Sequence, residues 1–120
     1  MDFQYAINTD SKRPIFLIDQ PIGICEELGN KGIDGSLFAK EFFELDSKKP
    51  DEIIIFVNSL GGKVPDALTI LNAISAAKSK TVVYIMGYAY SAAGWLALSA
   101  DEVYAVAWAS WMCHMAHDPN

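Results

Sequence analysis

The sequence predicts an α/β domain built from βαβ crossovers around a mostly parallel sheet. Its first support is three β-branched, apolar runs over residues 13–19, 52–57 and 81–86, which read as strands. These alternate with helix-like stretches over residues 34–45, 65–77 and 92–98, which is the second. The third is size and composition: 120 residues, 52% apolar and 20% charged, are enough for one folded domain and too few for two ordinary ones. The apolar share is slightly high for so small a body, which predicts surface buried against a partner.

Taken in order, the first ten residues carry little signal. Arg-Pro-Ile-Phe-Leu-Ile-Asp at 13–19 reads as a short buried strand, followed by a turn-rich stretch carrying Pro21, Gly23, Gly29, Gly32 and Gly35. Asp34 is the expected N-cap of a helix whose Phe38, Phe42 and Leu45 fall at i, i+4 and i+7, with Lys40, Glu41 and Glu44 off that face. Lys48-Lys49-Pro50-Asp51 ends it. The Ile-rich run at 52–57 is expected as a strand buried on both faces, pointing at the turn Asn58-Ser59-Leu60-Gly61-Gly62. Pro65 and Asp66 open a second helix with Ala67, Ile70, Leu71, Ile74 and Ala77 on one stripe. After the strand at 81–86, residues 87–91 read as a turn leading into the Ala/Leu-rich helix at 92–98. Asp101-Glu102 closes that helix, and two short strands are expected at 103–106 and 111–114.

Several functional classes are disfavoured. Nine basic against fifteen acidic residues give a net charge of −6, which leaves no basic patch for nucleic acid. The longest apolar stretches fall short of the roughly 18 residues a membrane span requires. The opening Met-Asp-Phe-Gln-Tyr lacks a basic, then apolar, secretory leader, so cytoplasmic residence is expected. Two cysteines, Cys25 and Cys113, make no disulfide framework and are read as small buried hydrophobes.

Chemistry in open α/β sheets collects at the carboxyl ends of strands. Two corners qualify. At Ser59-Leu60-Gly61-Gly62, paired glycines allow close backbone approach with amides facing a ligand, although a glycine pair after a strand is more often an ordinary tight turn. At the second corner Ser91 stands between strand and helix, either as an N-cap or as a nucleophile where free amides favour developing negative charge. A serine nucleophile requires a base, and only His114 and His117 are available. Cys113, His114, His117 and Asp118 invite a metal reading, but they supply all nearby ligands and no second cluster exists, so no metal is expected. Cys113 activated by His114 fails, since neighbours on a strand point to opposite faces. Trp95, Trp108 and Trp111 are candidates to line a substrate groove, but packing in the core or in a subunit contact is the preferred reading, and Tyr88 and Tyr90 flank the serine, one of them expected to border a substrate pocket.

These segments resemble the Clp protease proteolytic subunit (ClpP) family, within the ClpP/crotonase-type fold. Ile55-Phe56-Val57-Asn58-Ser59-Leu60-Gly61-Gly62 is similar to the family's I-N-S-P-G-G turn, with Leu60 in place of proline. Tyr84-Ile85-Met86-Gly87-Tyr88-Ala89-Tyr90-Ser91 resembles its M-G-x-A-x-S nucleophile segment, 29 residues separating Gly62 from Ser91. Trp111-Met112-Cys113-His114 resembles its x-M-I-H segment. Three motifs in order over nearly the whole chain are far more specific than any one.

The resemblance implies a serine endopeptidase in which Ser91 attacks the peptide carbonyl, His114 takes the proton, and the amides of Gly62 and Ala92 form the oxyanion hole. No cofactor is implied. It further implies unfolded protein or peptide substrates, a homo-oligomeric ring and a partner ATPase. Bacterial and phage members are both compatible, divergence outside the motifs leaning toward the latter. The family's third triad residue is an acid well downstream of the histidine, and this sequence ends six residues after His114. The expectation is therefore a single, incomplete domain over 1–120 with its C-terminal part missing. The alternatives are an inactive structural ring subunit or fragment and, less favoured, a crotonase-type acyl-CoA enzyme, for which only Asp66 follows the glycine turn.

Overall fold

A computed structural model describes residues 2–24 and 32–112. Six strands and three helices follow one another as β1 (Ala6–Asn8), β2 (Ile15–Ile18), α1 (Gly35–Asp46), β3 (Glu52–Ser59), α2 (Val64–Ser75), β4 (Lys80–Tyr90), α3 (Ala92–Leu98), β5 (Glu102–Ala105) and β6 (Ser110–Met112). The strands form one sheet in the order β1-β2-β3-β4-β5, with β6 also on β4. Every pairing is parallel except β1 with β2. The expected α/β architecture is therefore present, with one antiparallel strand added where the sequence carried little signal.

Register explains the core. Phe16, Ile55 and Val83 lie side by side across β2, β3 and β4, as do Ile18, Val57 and Ile85 one pleat further along. All six are essentially inaccessible and belong to one cluster with Phe38, Phe42 and Leu45 of α1, Ile70 and Ile74 of α2 and Leu96 of α3. The Phe16 ring lies 5.1 Å from Phe38 and 5.4 Å from Phe42. The opposite pleat carries Leu17, Phe56, Tyr84 and Tyr104 in one row and is only half-covered. The strand at 52–59 thus alternates between a buried and a half-exposed face, and the expectation of burial on both faces is corrected. Its Ile-rich character reflects β-branched packing on one side and an aromatic row on the other.

Asp34 caps α1 as expected, accepting from the Ser36 and Leu37 amides at 3.0 and 3.2 Å. Glu41 departs from expectation. Although off the apolar face by spacing, it is fully buried and accepts the backbone N–H groups of Gln4, Tyr5 and Ala6 at 2.9, 2.9 and 3.1 Å. A buried carboxylate requires such compensation, and here it fastens β1 to α1. Asp46, at the other end of α1, accepts from the Lys78 and Ser79 amides at 3.1 and 3.0 Å, fixing the entry to β4. Burial raises its pKa, but the bonds from Ser79 and Lys78 outweigh burial and hold the carboxyl below its ordinary value.

Candidate active site

The carboxyl ends of β3 and β4 meet at one corner, which brings the glycine pair to Ser91. β4 does not stop where the sequence suggested a turn: it runs on to Tyr90, so the segment read as a loop is mostly strand, and Ser91 follows it directly. Ser91 then takes φ 55° and ψ −124°, a backbone conformation disfavoured for a residue with a β-carbon, and α3 starts at the next residue. Such a sharp strand-to-helix turn costs on the order of 1–3 kcal/mol, which the surrounding contacts must hold in place. The Ser91 amide donates to the Met112 carbonyl of β6 at 2.9 Å, and the Ser91 carbonyl accepts from Gly94 and Trp95 at 2.9 and 3.2 Å.

Ser91 occupies the N-cap position, yet its hydroxyl makes no capping hydrogen bond. Of the two readings open from sequence, the capping one is therefore removed, and the hydroxyl stays uncommitted to the helix end.

The glycine turn closes against this serine. Gly61 has φ 101°, and a β-carbon there would stand 2.8 Å from the Tyr90 carbonyl oxygen, 2.9 Å from Ser91 Cβ and 3.2 Å from the Ala92 nitrogen. Gly62 passes so close to Ile22 that a β-carbon would overlap the Ile22 carbonyl oxygen. The Ile22 amide donates to the Gly61 carbonyl at 3.0 Å and the Lys63 amide to the Ile22 carbonyl at 2.8 Å. These bonds bracket Gly62 without using its own N–H, and among the described residues neither the Gly62 nor the Ala92 amide donates a hydrogen bond. Ser59, two residues before Gly61, donates to the Gln20 carbonyl at 2.8 Å and accepts from the Gly61 amide at 3.2 Å. The ordinary-tight-turn reading of the glycine pair does not account for two such contacts with neighbouring segments.

The flanking aromatics divide. Tyr90 is tied to β6 through a 2.7 Å bond between its hydroxyl and that of Ser110, whereas Tyr88 is half-exposed and lines a cavity of about 180 Å³ with Asp19, Gln20, Pro21, Asn58, Ser59 and Leu60. Trp95 packs against the core, but Trp108 is 96% exposed and packs in no core formed by the described residues. Trp111 is half-exposed and donates to the Gly94 carbonyl at 3.4 Å. Asp66 accepts from the Gly35 amide at 2.9 Å, joining the starts of α1 and α2, so it is engaged in structure rather than offered beside the glycine turn. His114, His117, Cys113, Asp118 and Cys25 lie outside the described residues. Among the described residues no three His, Cys, Asp or Glu side chains gather to hold a metal, and no helix is long and apolar enough to cross a membrane.

Comparison with known proteins adds the lineage. The model of the family described as Clp protease matches residues 12–118. Among solved structures, ClpP1 from Listeria monocytogenes superposes with a TM-score of 0.62 at 30% identity, covering 77% of this chain and 48% of that one. A point variant of the same protein gives the same values. The 1510-N membrane-bound stomatin-specific protease shares the fold, with a TM-score of 0.60 at 17% identity, over 76% of this chain and 42% of its own. The chain thus spans about half the length of the solved structures it matches. No curated protein sequence matches it.

Proposed function

The chain belongs to the Clp protease family, and on that premise we propose that it carries the nucleophile and oxyanion-binding part of a serine endopeptidase. The observation that supports this best is the backbone of Ser91: a strained strand-to-helix turn with an uncapped hydroxyl, set against Gly61. Strain of this kind persists where a side chain must be presented at a fixed point.

In this reading the Ser91 Oγ attacks the scissile carbonyl carbon while His114 accepts its proton. The carbonyl oxygen becomes an oxyanion received by the amides of Gly62 and Ala92, which donate to no other group among the described residues. Collapse breaks the C–N bond, His114 returns its proton to the departing amine, and an acyl ester remains on Ser91. Water, deprotonated by His114, then releases the acid and regenerates the serine. Each oxyanion donor contributes about 10²–10³ in rate. The substrates proposed are peptides or unfolded chains, and the half-covered row of Leu17, Phe56, Tyr84 and Tyr104 supports assembly into a homo-oligomer, with a ring and a feeding ATPase as the family-level expectation.

A fluorophosphonate probe tests the chemistry directly, with the adduct located by mass spectrometry. Labelling is expected on Ser91, absent in Ser91→Ala and at least 100-fold slower in His114→Ala. Absence of any Ser91 adduct, or labelling indifferent to His114, rejects the peptidase reading and favours a non-cutting structural subunit of the same fold.

A further inference from the structure

The pairing of β3 with β4 changes register just before the candidate site. Up to Val57, which pairs with Ile85, partners differ by 28 positions, whereas Ser59 pairs with Ala89, a difference of 30. β4 therefore inserts two extra residues opposite Asn58. At the same point its other edge changes partner, from β5, last paired at Ile85, to β6, first paired at Tyr88.

Asn58 fills the insertion. Its side-chain carbonyl accepts the Tyr88 N–H at 3.0 Å, the place a β3 backbone carbonyl would take in a regular ladder. The three atoms nearest to a β-carbon built on Gly87 all belong to Asn58, at 2.5, 3.0 and 3.5 Å, so the glycine is there to admit this one side chain. Two strand residues span roughly 6–7 Å. Were those two residues paired in a regular ladder instead of bulged out, Ser91 would be carried that far past Gly61, instead of standing beside it.

We propose that Asn58 is a positioning residue: by locking the two-residue bulge at Gly87 and Tyr88 it sets the height at which Ser91 meets the glycine turn. This rests on Ser91 being the nucleophile. Asn58 is itself exposed, so water can replace its carbonyl at Tyr88, and its loss disturbs the alignment of the site more than the fold.

The test measures fluorophosphonate labelling rate and residue-level amide exchange on the same folded samples. Asn58→Asp keeps the acceptor and is expected to label within threefold of the parent, whereas Asn58→Leu is expected to label at least tenfold more slowly, with faster exchange at the Tyr88 and Ser91 amides. Gly87→Ala should also lose at least tenfold, and most of that loss should vanish when it is introduced beside Asn58→Ala, because the clashing atoms are gone. The Gly87→Ala cycle remains decisive if Asn58→Leu does not fold. Wild-type labelling by Asn58→Leu, or an undiminished Gly87→Ala penalty in the Asn58→Ala background, overturns the proposal. If the parent chain itself fails to label, the peptidase reading falls separately, and exchange at Tyr88 and Ser91 still decides: faster in Asn58→Leu supports the positioning role, unchanged refutes it.

Discussion

Replacing Glu41 by leucine removes the acceptor of three backbone amides at once, and the size of the response follows from what the chain can do instead. The Tyr5 and Ala6 donors are buried and the Gln4 donor partly so. Left in place without partners, each buried donor would cost about 1–3 kcal/mol. The chain has a cheaper exit, because β1 holds only three residues and can leave β2 and return its amides to water. That route forfeits chiefly the burial of the Tyr5 ring, which is 5% exposed, at about 2–3 kcal/mol. The smaller of the two costs governs, so Glu41→Leu is expected to lose about 2–3 kcal/mol, or roughly 6–15 °C in melting temperature for a domain of this size. Glu41→Gln keeps one carbonyl oxygen for Tyr5 and Ala6 and should lose about half as much. The assay pairs thermal melts with amide exchange at Leu17, whose N–H donates to the Tyr5 carbonyl at 3.0 Å and should lose protection selectively. If Glu41→Leu melted with the parent and Leu17 stayed protected, the clamp would carry no energy and the reasoning would fail.

Three further outcomes are expected. Ser91→Gly should raise stability by about 1–2 kcal/mol over Ser91→Ala in denaturant titration, because only glycine accepts φ 55° with ψ −124° without strain. Gly61→Ala must place a β-carbon at φ 101° against the Tyr90 carbonyl and Ser91 Cβ, so Ser91 labelling should slow by at least tenfold even in folded protein, read from the same probe kinetics. Asp46→Ala should cost about 1–3 kcal/mol at pH 7. Since the folded-state pKa of Asp46 lies below its unfolded value, its contribution is present above about pH 4 and disappears as pH falls through the lowered value, so parent and variant stability curves should converge in acid.

The comparison of sequence with structure is sharpest at particular residues. Asp34 was legible as a cap because a capping carboxylate acts on amides two and three residues away, a relation the sequence displays directly. Gly61, Gly62 and Ser91 were legible as residue types at strand ends, because local backbone chemistry restricts what can stand there. Glu41 was not legible. Its spacing put it with Lys40 and Glu44, and only the arrival of residues 4–6, with Tyr5 36 residues away, turned that side of α1 into an interior. Nor was Asn58: a polar residue before a glycine turn reads as loop, and nothing in its neighbours announces that it will bridge a bulge in β4 thirty residues later.

Periodicity, capping and turn chemistry are short-range, so the sequence alone determined the α/β order of elements, the two glycine and serine corners and their family resemblance. The contact of Gly61 with Ser91, the Gly62 and Ala92 amides left without an acceptor among the described residues, and the release of the Ser91 hydroxyl from capping were decided only by tertiary structure. Each depends on the register in which β4 lies on β3, and register is set by side chains that meet across the sheet rather than along the chain.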